Sequence, residues 1–203
     1  MKTLVIIPSR LSATRLPGKP LLKINGLSII SHVFKKAIDA NIGEVFVATE
    51  DQEIIDDVTL NGGQAIMTSK NHKTGTDRIY EAFNKIGKSD IELIMNLQGD
   101  EPLINVDDIR NLHSQMILNK SKMGTLASDI SDKSIFSDPN VVKVSTKKSF
   151  KISRFPEAES FFRSSDNTKK NIYHHLGIYC YQLETLKKFI FLDQSQNEIK
   201  KKL

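Results

Sequence analysis

The stretch Leu4-Val5-Ile6-Ile7-Pro8-Ser9-Arg10-Leu11-Ser12-Ala13-Thr14-Arg15-Leu16-Pro17-Gly18-Lys19-Pro20 decides the fold class. Its first four residues are a continuous apolar run, the pattern of a strand covered on both faces. Pro8 closes the run, and the segment from Pro8 to Pro20 holds three of the chain's six prolines and its first glycine, so it is a loop. Working outward, Ile29, Ile30, Val33, Phe34, Ala37 and Ile38 recur at three- and four-residue steps, which predicts a helix with one buried stripe. Val45 to Ala48 read as a second strand. Ile54, Ile55, Val58 and Leu60 continue as a helix stopped by Asn61-Gly62-Gly63. Gln64 to Met67 make a third strand, Thr76 is placed to cap a helix carrying Ile79, Ala82, Phe83 and Ile86, and Ile91 to Leu97 form a fourth strand. This β-α-β-α order calls for an α/β fold with a mostly parallel sheet, right-handed crossovers and helices on both faces. Further on, Val141–Ser145, Phe150–Phe155 and His174–Tyr181 read as strands, 183–191 as a helix and 196–203 as the start of another. No internal repeat or Gly/Ser-rich linker occurs, so residues 1–203 are expected as a single domain, with 130–175 as a strand-rich elaboration on the sheet.

Composition narrows the function classes. With 203 residues, 39% of them hydrophobic and 26% charged, the chain is neither disordered nor fibrous. One cysteine, Cys180, rules out an internal disulfide and a cysteine-cluster zinc site, and the reducing cytoplasm is the expected location. No apolar stretch reaches the roughly 20 residues of a membrane span, so no membrane partner is expected. The net charge of +5 is uneven: residues 1–142 carry 16 Lys+Arg against 18 Asp+Glu, and 143–203 carry 13 against 6. The basic final third suits an anionic partner or a solvated face. Without Trp, or a basic run interleaved with aromatics, nucleic acid is disfavoured.

Ligands of such sheets bind at the carboxyl ends of strands, and three unusual loops follow Ile7, Met67 and Leu97. The first contains neither GxxxxGK[ST] nor GxGxxG, yet sets Arg10, Arg15 and Lys19 after a buried strand. Three cations there suit a polyphosphate, with Gly18 permitting close backbone approach; an ordinary basic surface loop has the same composition. The loop Gln98-Gly99-Asp100-Glu101-Pro102 adds an acidic counterpart. Asp100 is either a Mg²⁺ ligand completed by substrate phosphates or a cap for the helix after Pro102. The second loop, Lys73-Thr74-Gly75-Thr76-Asp77-Arg78, brings a helix N-terminus and an arginine, though capping accounts for Thr76 and Asp77 well enough.

Taken together, S-R-L-S-A-T-R-L-P-G-K-P-L at 9–21, V-A-T-E-D at 47–51, T-G-T-D-R at 74–78, N-L-Q-G-D-E-P-L-I at 96–104, N-V-V-K-V at 140–144 and H-L-G-I-Y at 175–179 resemble the 3-deoxy-manno-octulosonate (Kdo) cytidylyltransferases over the whole chain. The resemblance implies a Rossmann-like, three-layer nucleotidyltransferase fold and transfer of CMP from CTP to the anomeric hydroxyl of Kdo, releasing pyrophosphate for lipopolysaccharide biosynthesis. It implies that Arg10, Arg15 and Lys19 wrap the CTP phosphates and that Thr74, Gly75, Thr76 and Arg78 contact the nucleotide. Asp100 would hold Mg²⁺, with Lys19 and Asp100 carrying the catalysis. Gln98, Arg154, His175 and Tyr179 would line the sugar-acid pocket. His175 taken alone reads equally as a satisfied core histidine, and Arg154 as a surface ion pair. A homodimer is expected. After Ser153-Arg154 the chain departs from the family's I-P-x-x-R pattern with Phe155-Pro156-Glu157. The family also continues past Leu203 with an E-Q-L-R helix and a G-x-D-T-x-x-D-L segment bearing a second metal-binding aspartate, so a fragment or a truncated form with impaired chemistry is expected here. The competing readings are a non-catalytic nucleotide-binding remnant and a cytidylyltransferase for a related acid, amino-Kdo or sialic acid.

Overall fold

The computed structural model describes residues 1–12, 16–72, 74–132, 134–163 and 169–193. The apolar run forms strand β1, Thr3–Ser9. A 3-10 turn at Lys19–Leu21 and a short hairpin, β2 (Lys23–Ile24) and β3 (Leu27–Ser28), follow. Asn25 and Gly26 take φ of 50° and 82°, as a tight two-residue hairpin turn requires. Helix α1, Ile29–Ala40, is capped by the Ser28 hydroxyl, which accepts from the Ser31 N–H. Next come β4 (Glu44–Thr49), α2 (Gln52–Leu60), β5 (Ala65–Met67), α3 (Gly75–Ile86) and β6 (Leu93–Asn96). Helix α4 (Val106–Asn119), β7 (Met123–Ser128), the single turn α5 (Ser134–Ser137), β8 (Lys143–Thr146), β9 (Ala158–Phe162), β10 (Ile172–Gln182) and α6 (Leu183–Phe189) complete the order.

The chain divides into two compact units, 1–124 with 178–191, and 125–177 with 192–203. In the first, β5, β4, β1 and β6 lie side by side in parallel, and residues 179–182 of β10 run antiparallel to β6. In chain order this is 3-2-1-4, so the winding reverses between β1 and β6. Leu4 and Ile6 of β1 join Ile79, Ala82 and Phe83 of α3 and Leu186 of α6 in one core layer. By the two-residue alternation Val5 and Ile7 face the other side, where α1 packs with α2 and α4. All four β1 side chains are fully buried, as their apolar run requires.

In the second unit β8 lies between β9 and residues 172–174 of β10, antiparallel to both. The Lys143 side chain is wholly buried, and its ammonium donates to the carbonyls of Asp138 (2.7 Å), Val141 (3.0 Å) and Arg163 (2.5 Å). Three donors meet three acceptors, which ties the 138–141 turn to the end of β9. Two expectations fail locally. Residues 150–155 form turns, because the Ser149 carbonyl accepts from both Ile152 and Ser153 and Pro156 has no N–H for a ladder; the strand starts at Ala158 instead. Helix α3 starts two residues earlier than expected: Thr74, not Thr76, is its cap, in a reciprocal box with Asp77. The helix expected over 196–203 lies outside the described residues. No helix among the described residues is long and apolar enough to cross a membrane.

Candidate active site

A cleft of about 310 Å³ opens where the winding of the first unit's sheet reverses, beyond the carboxyl ends of β1 and β6. One wall comes from the β1 loop. There the Leu11 N–H donates to Asp51 at the start of α2 (2.7 Å), and the Gly18 N–H closes the loop onto the Leu11 carbonyl (3.0 Å). Gly18 adopts φ 72°, a left-handed conformation that turns the chain into the Lys19–Leu21 segment. Arg10 and Lys19 consequently border the cleft. Arg15 lies outside the described residues.

The facing wall is the β6 loop. Gly99 permits it: a Cβ there would stand 2.9 Å from the Pro8 carbonyl oxygen and 3.2 Å from the Ser9 Cβ. The loop thus lies directly on the end of β1 and carries Gln98 and Asp100 into the cleft. Lys19 Nζ donates to Asp100 Oδ2 at 2.8 Å, a half-exposed pair in which cation and carboxylate come from the segments that follow two different strands. Asp100 does not cap the following helix; Asn105 does, accepting from the Asp107 N–H. On the floor, the Ser9 hydroxyl is buried with no hydrogen-bond partner among the described residues.

The third wall is the start of α3, with His72, Thr74 and Gly75. Arg78 borders it too, but its guanidinium turns inward: it is nearly buried, pairs with Glu50, and donates to the Thr68 hydroxyl (2.5 Å) and the Ser69 carbonyl (3.3 Å). Thr76 bonds to the Tyr181 hydroxyl on the core side. Of the expected nucleotide and metal residues the structure brings together Arg10, Lys19, Thr74, Gly75, Arg78 and Asp100, with Gln98 from the sugar-acid set. Tyr179 packs against the core layer under α3, stacked on Tyr181 with ring centres 5.9 Å apart.

His175 and Arg154 belong to the second unit. Arg154 is exposed in the 149–155 turn. His175 is buried, with Nε2 2.9 Å from the Thr125 hydroxyl and the Phe161 ring edge-on at 4.9 Å. Burial first, then the neighbouring His174, lowers its pKa to about 4, so the imidazole is neutral at pH 7. Its part in any site is hydrogen bonding and shape, not charge.

His72 was absent from the sequence expectations. Its ring Nε2 is bonded to the Glu81 carboxylate, about two turns into α3. The signal was present: a histidine two residues before a capping threonine, with Glu81 seven residues beyond that cap on the same helix.

A fit test for Mg²⁺ rests on the donor set. Among the described residues no cluster of three or more His, Cys, Asp or Glu is poised around one point. Asp100 supplies a single hard carboxylate beside two cations, which matches an ion completed by phosphate oxygens and water rather than by a protein cage.

Three comparisons bear on the site. The profile of the family described as Cytidylyltransferase matches residues 4–203. A 3-deoxy-manno-octulosonate cytidylyltransferase of Nitrobacter winogradskyi is 41% identical over 204 residues, covering 100% of this chain and 80% of its own. One of Thermodesulfovibrio yellowstonii is 40% identical over 209 residues, covering 98% of this chain and 82% of its own. The solved structure of a CMP:2-keto-3-deoxy-manno-octonic acid synthetase complexed with CTP superposes with a TM-score of 0.87 at 36% identity, covering 100% of this chain and 83% of that one.

Proposed function

This chain belongs to the cytidylyltransferase family, as one of its 3-deoxy-manno-octulosonate members, and from that premise we propose how its cleft serves the reaction. The enzyme transfers CMP from CTP to the anomeric hydroxyl of 3-deoxy-manno-octulosonate and releases pyrophosphate, a step of lipopolysaccharide biosynthesis. The observation that carries the site assignment is the 2.8 Å contact of Lys19 with Asp100 across the β1 and β6 loops.

Arg10 and Lys19 bind the triphosphate: guanidinium and ammonium offset its charge, and their loop is anchored at Leu11 and Gly18 before the ligand arrives. Asp100 and the phosphate oxygens would hold Mg²⁺, which when bound adds positive charge beside the transferring phosphoryl group. Lys19 sits against Asp100 and so directs its own charge to the same region. Gln98 would hold the sugar acid near the α-phosphorus, and proximity of two anions that repel in solution is the main gain. Arg154 and His175, both of the second unit, stay in the proposal as sugar-acid residues on the motif match, His175 as a neutral hydrogen-bonding group. Thr76, Tyr179 and Arg15 stay in the proposal on the strength of the motif match alone.

The same reading places the enzyme in the cytoplasm as a homodimer. The lone Cys180 is buried with its thiol pushed up to about 12, an inert group suited to a reducing compartment. Light scattering of the purified chain tests the dimer. The function is tested by pyrophosphate release with CTP, Kdo and Mg²⁺ together. Release should need all three; release unaffected by omitting Kdo, or none with all three present, would overturn the assignment.

A further inference from the structure

The end of β1 carries a polar side chain with nothing to bond. Ser9 is 7% exposed, and its Oγ is shut off from solvent without a hydrogen-bond partner among the described residues. A hydroxyl that leaves water and gains no partner destabilises the fold that holds it. Asn96 Oδ1 on β6 is also without a partner among the described residues, but Asn96 does not border the cleft. Ser9 does, and so it is the orphan within a ligand's reach.

The packing around Ser9 restricts where a partner can come from. A Cβ on Gly99 would stand 3.2 Å from the Ser9 Cβ, 3.1 Å from Ile30 Cδ1 and 2.9 Å from the Pro8 carbonyl oxygen. The Gly99 backbone and the Ile30 methyl thus press on the serine from one side. The gap there is too tight even for a methyl group, and a water needs more room and at least two polar partners. The side that stays open is the cleft, bordered by Arg10, Lys19 and Asp100. A serine hydroxyl moves between staggered positions about the single torsion χ1 at small cost. It can both donate and accept, so it suits any oxygen that comes to rest on the floor. We propose that the Ser9 hydroxyl turns into the cleft and hydrogen-bonds an oxygen of bound CTP, which makes Ser9 a nucleotide-binding residue in its own right. The free enzyme carries the orphan, and the complex satisfies it. Such a contact adds affinity without first breaking a bond inside the protein.

The inference rests on the cleft binding CTP as proposed above. The test is calorimetric titration of the full chain with CTP and Mg²⁺, for the parent protein and Ser9→Ala, with thermal melts of both in the presence and absence of CTP. Alanine deletes only the orphaned oxygen, so Ser9→Ala without CTP should melt at or slightly above the parental temperature. It should nonetheless bind CTP about tenfold more weakly, the worth of roughly one hydrogen bond, and its melt should rise less when CTP is added. In pyrophosphate release the KM for CTP should increase and the KM for Kdo should not. A structural serine would give the reverse pattern. A lowered melt with parental CTP affinity would therefore overturn the inference, as would a loss confined to the KM for Kdo. A parent chain that binds no CTP would overturn the functional reading itself.

Discussion

Arg10 directly follows β1 and Arg78 lies near the start of α3, and the structure gives them different physics. Arg10 is exposed on the cleft wall, whereas Arg78 is 3% exposed with Glu50 as a nearly buried counter-charge. Removing one member of a buried pair leaves the other uncompensated, at about 3–5 kcal/mol. Arg78→Ala should therefore lower the melting temperature by many degrees, while Arg10→Ala should leave it within a degree or two and weaken CTP about ten- to hundredfold. Melting curves and CTP titrations on both variants check this; a stable Arg78→Ala protein with selectively lost CTP binding would reverse the assignment. Asp100 is simpler. Half-exposed and, among the described residues, bonded only to Lys19, it holds little of the fold together, so Asp100→Ala should keep the parental melt and lose pyrophosphate release at every Mg²⁺ concentration. Turnover restored by saturating Mg²⁺ would make it an accessory rather than the principal metal carboxylate.

The start of α3 and the β6 loop show what elements add to residues. Thr74 and Asp77 satisfy each other's backbone groups at the lip of the cleft, so Thr74→Ala should cost about 1 kcal/mol and loosen the first turn, read as a lower melt and faster amide exchange at 75–77. Gly99→Ala should cost more, since its Cβ would strike the Pro8 carbonyl; the loop would lift off β1, separate Lys19 from Asp100 and reduce turnover well before the protein unfolds. Crystallography of the variant would show the displaced loop; an unmoved loop with full activity would contradict the close-packing argument. The first four parallel strands and their helices were legible because each carries its own apolar period. The β2–β3 hairpin was not read from the sequence: two-residue strands have no period, and its one signal, Asn25-Gly26, went unused. Strand β7, with Gly124, Thr125 and Ser128 among its residues, has no apolar alternation at all. The site was legible as loops at strand ends. The inward turn of Arg78 was not, because Glu50, Thr68 and Ser69 come from distant segments that only the folded sheet brings together, and the box that moved the α3 cap to Thr74 needed a choice between two adjacent threonine registers.

At the scale of the whole molecule, the two units should answer acid at different pH. In the second unit, burial depresses the folded pKa of His175 to about 4 against an ordinary value of 6.5, so between those values the unfolded chain binds the extra proton. Stability then rises with pH across that window and is lost on acidification from about 6.5 toward 4, by at most about 3 kcal/mol. In the first unit, Glu81 is depressed from 4.5 to about 2, so its contribution is complete above 4.5 and fades only as pH falls through that lower range. Different windows in different units predict an ordered loss. Hydrogen exchange at pH 7 and at pH 5 should show residues 125–163 and 169–177 losing protection first, while β1, β4 and β6 keep theirs until the solution is near pH 3. His175→Gln, which can keep the bond to Thr125 without a titrating ring, should remove the early phase and leave the late one. Simultaneous loss of protection in both units at pH 5, or an early phase that survives His175→Gln, would show that acid acts through other groups, and that the neutral histidine in the second unit is a passive core residue.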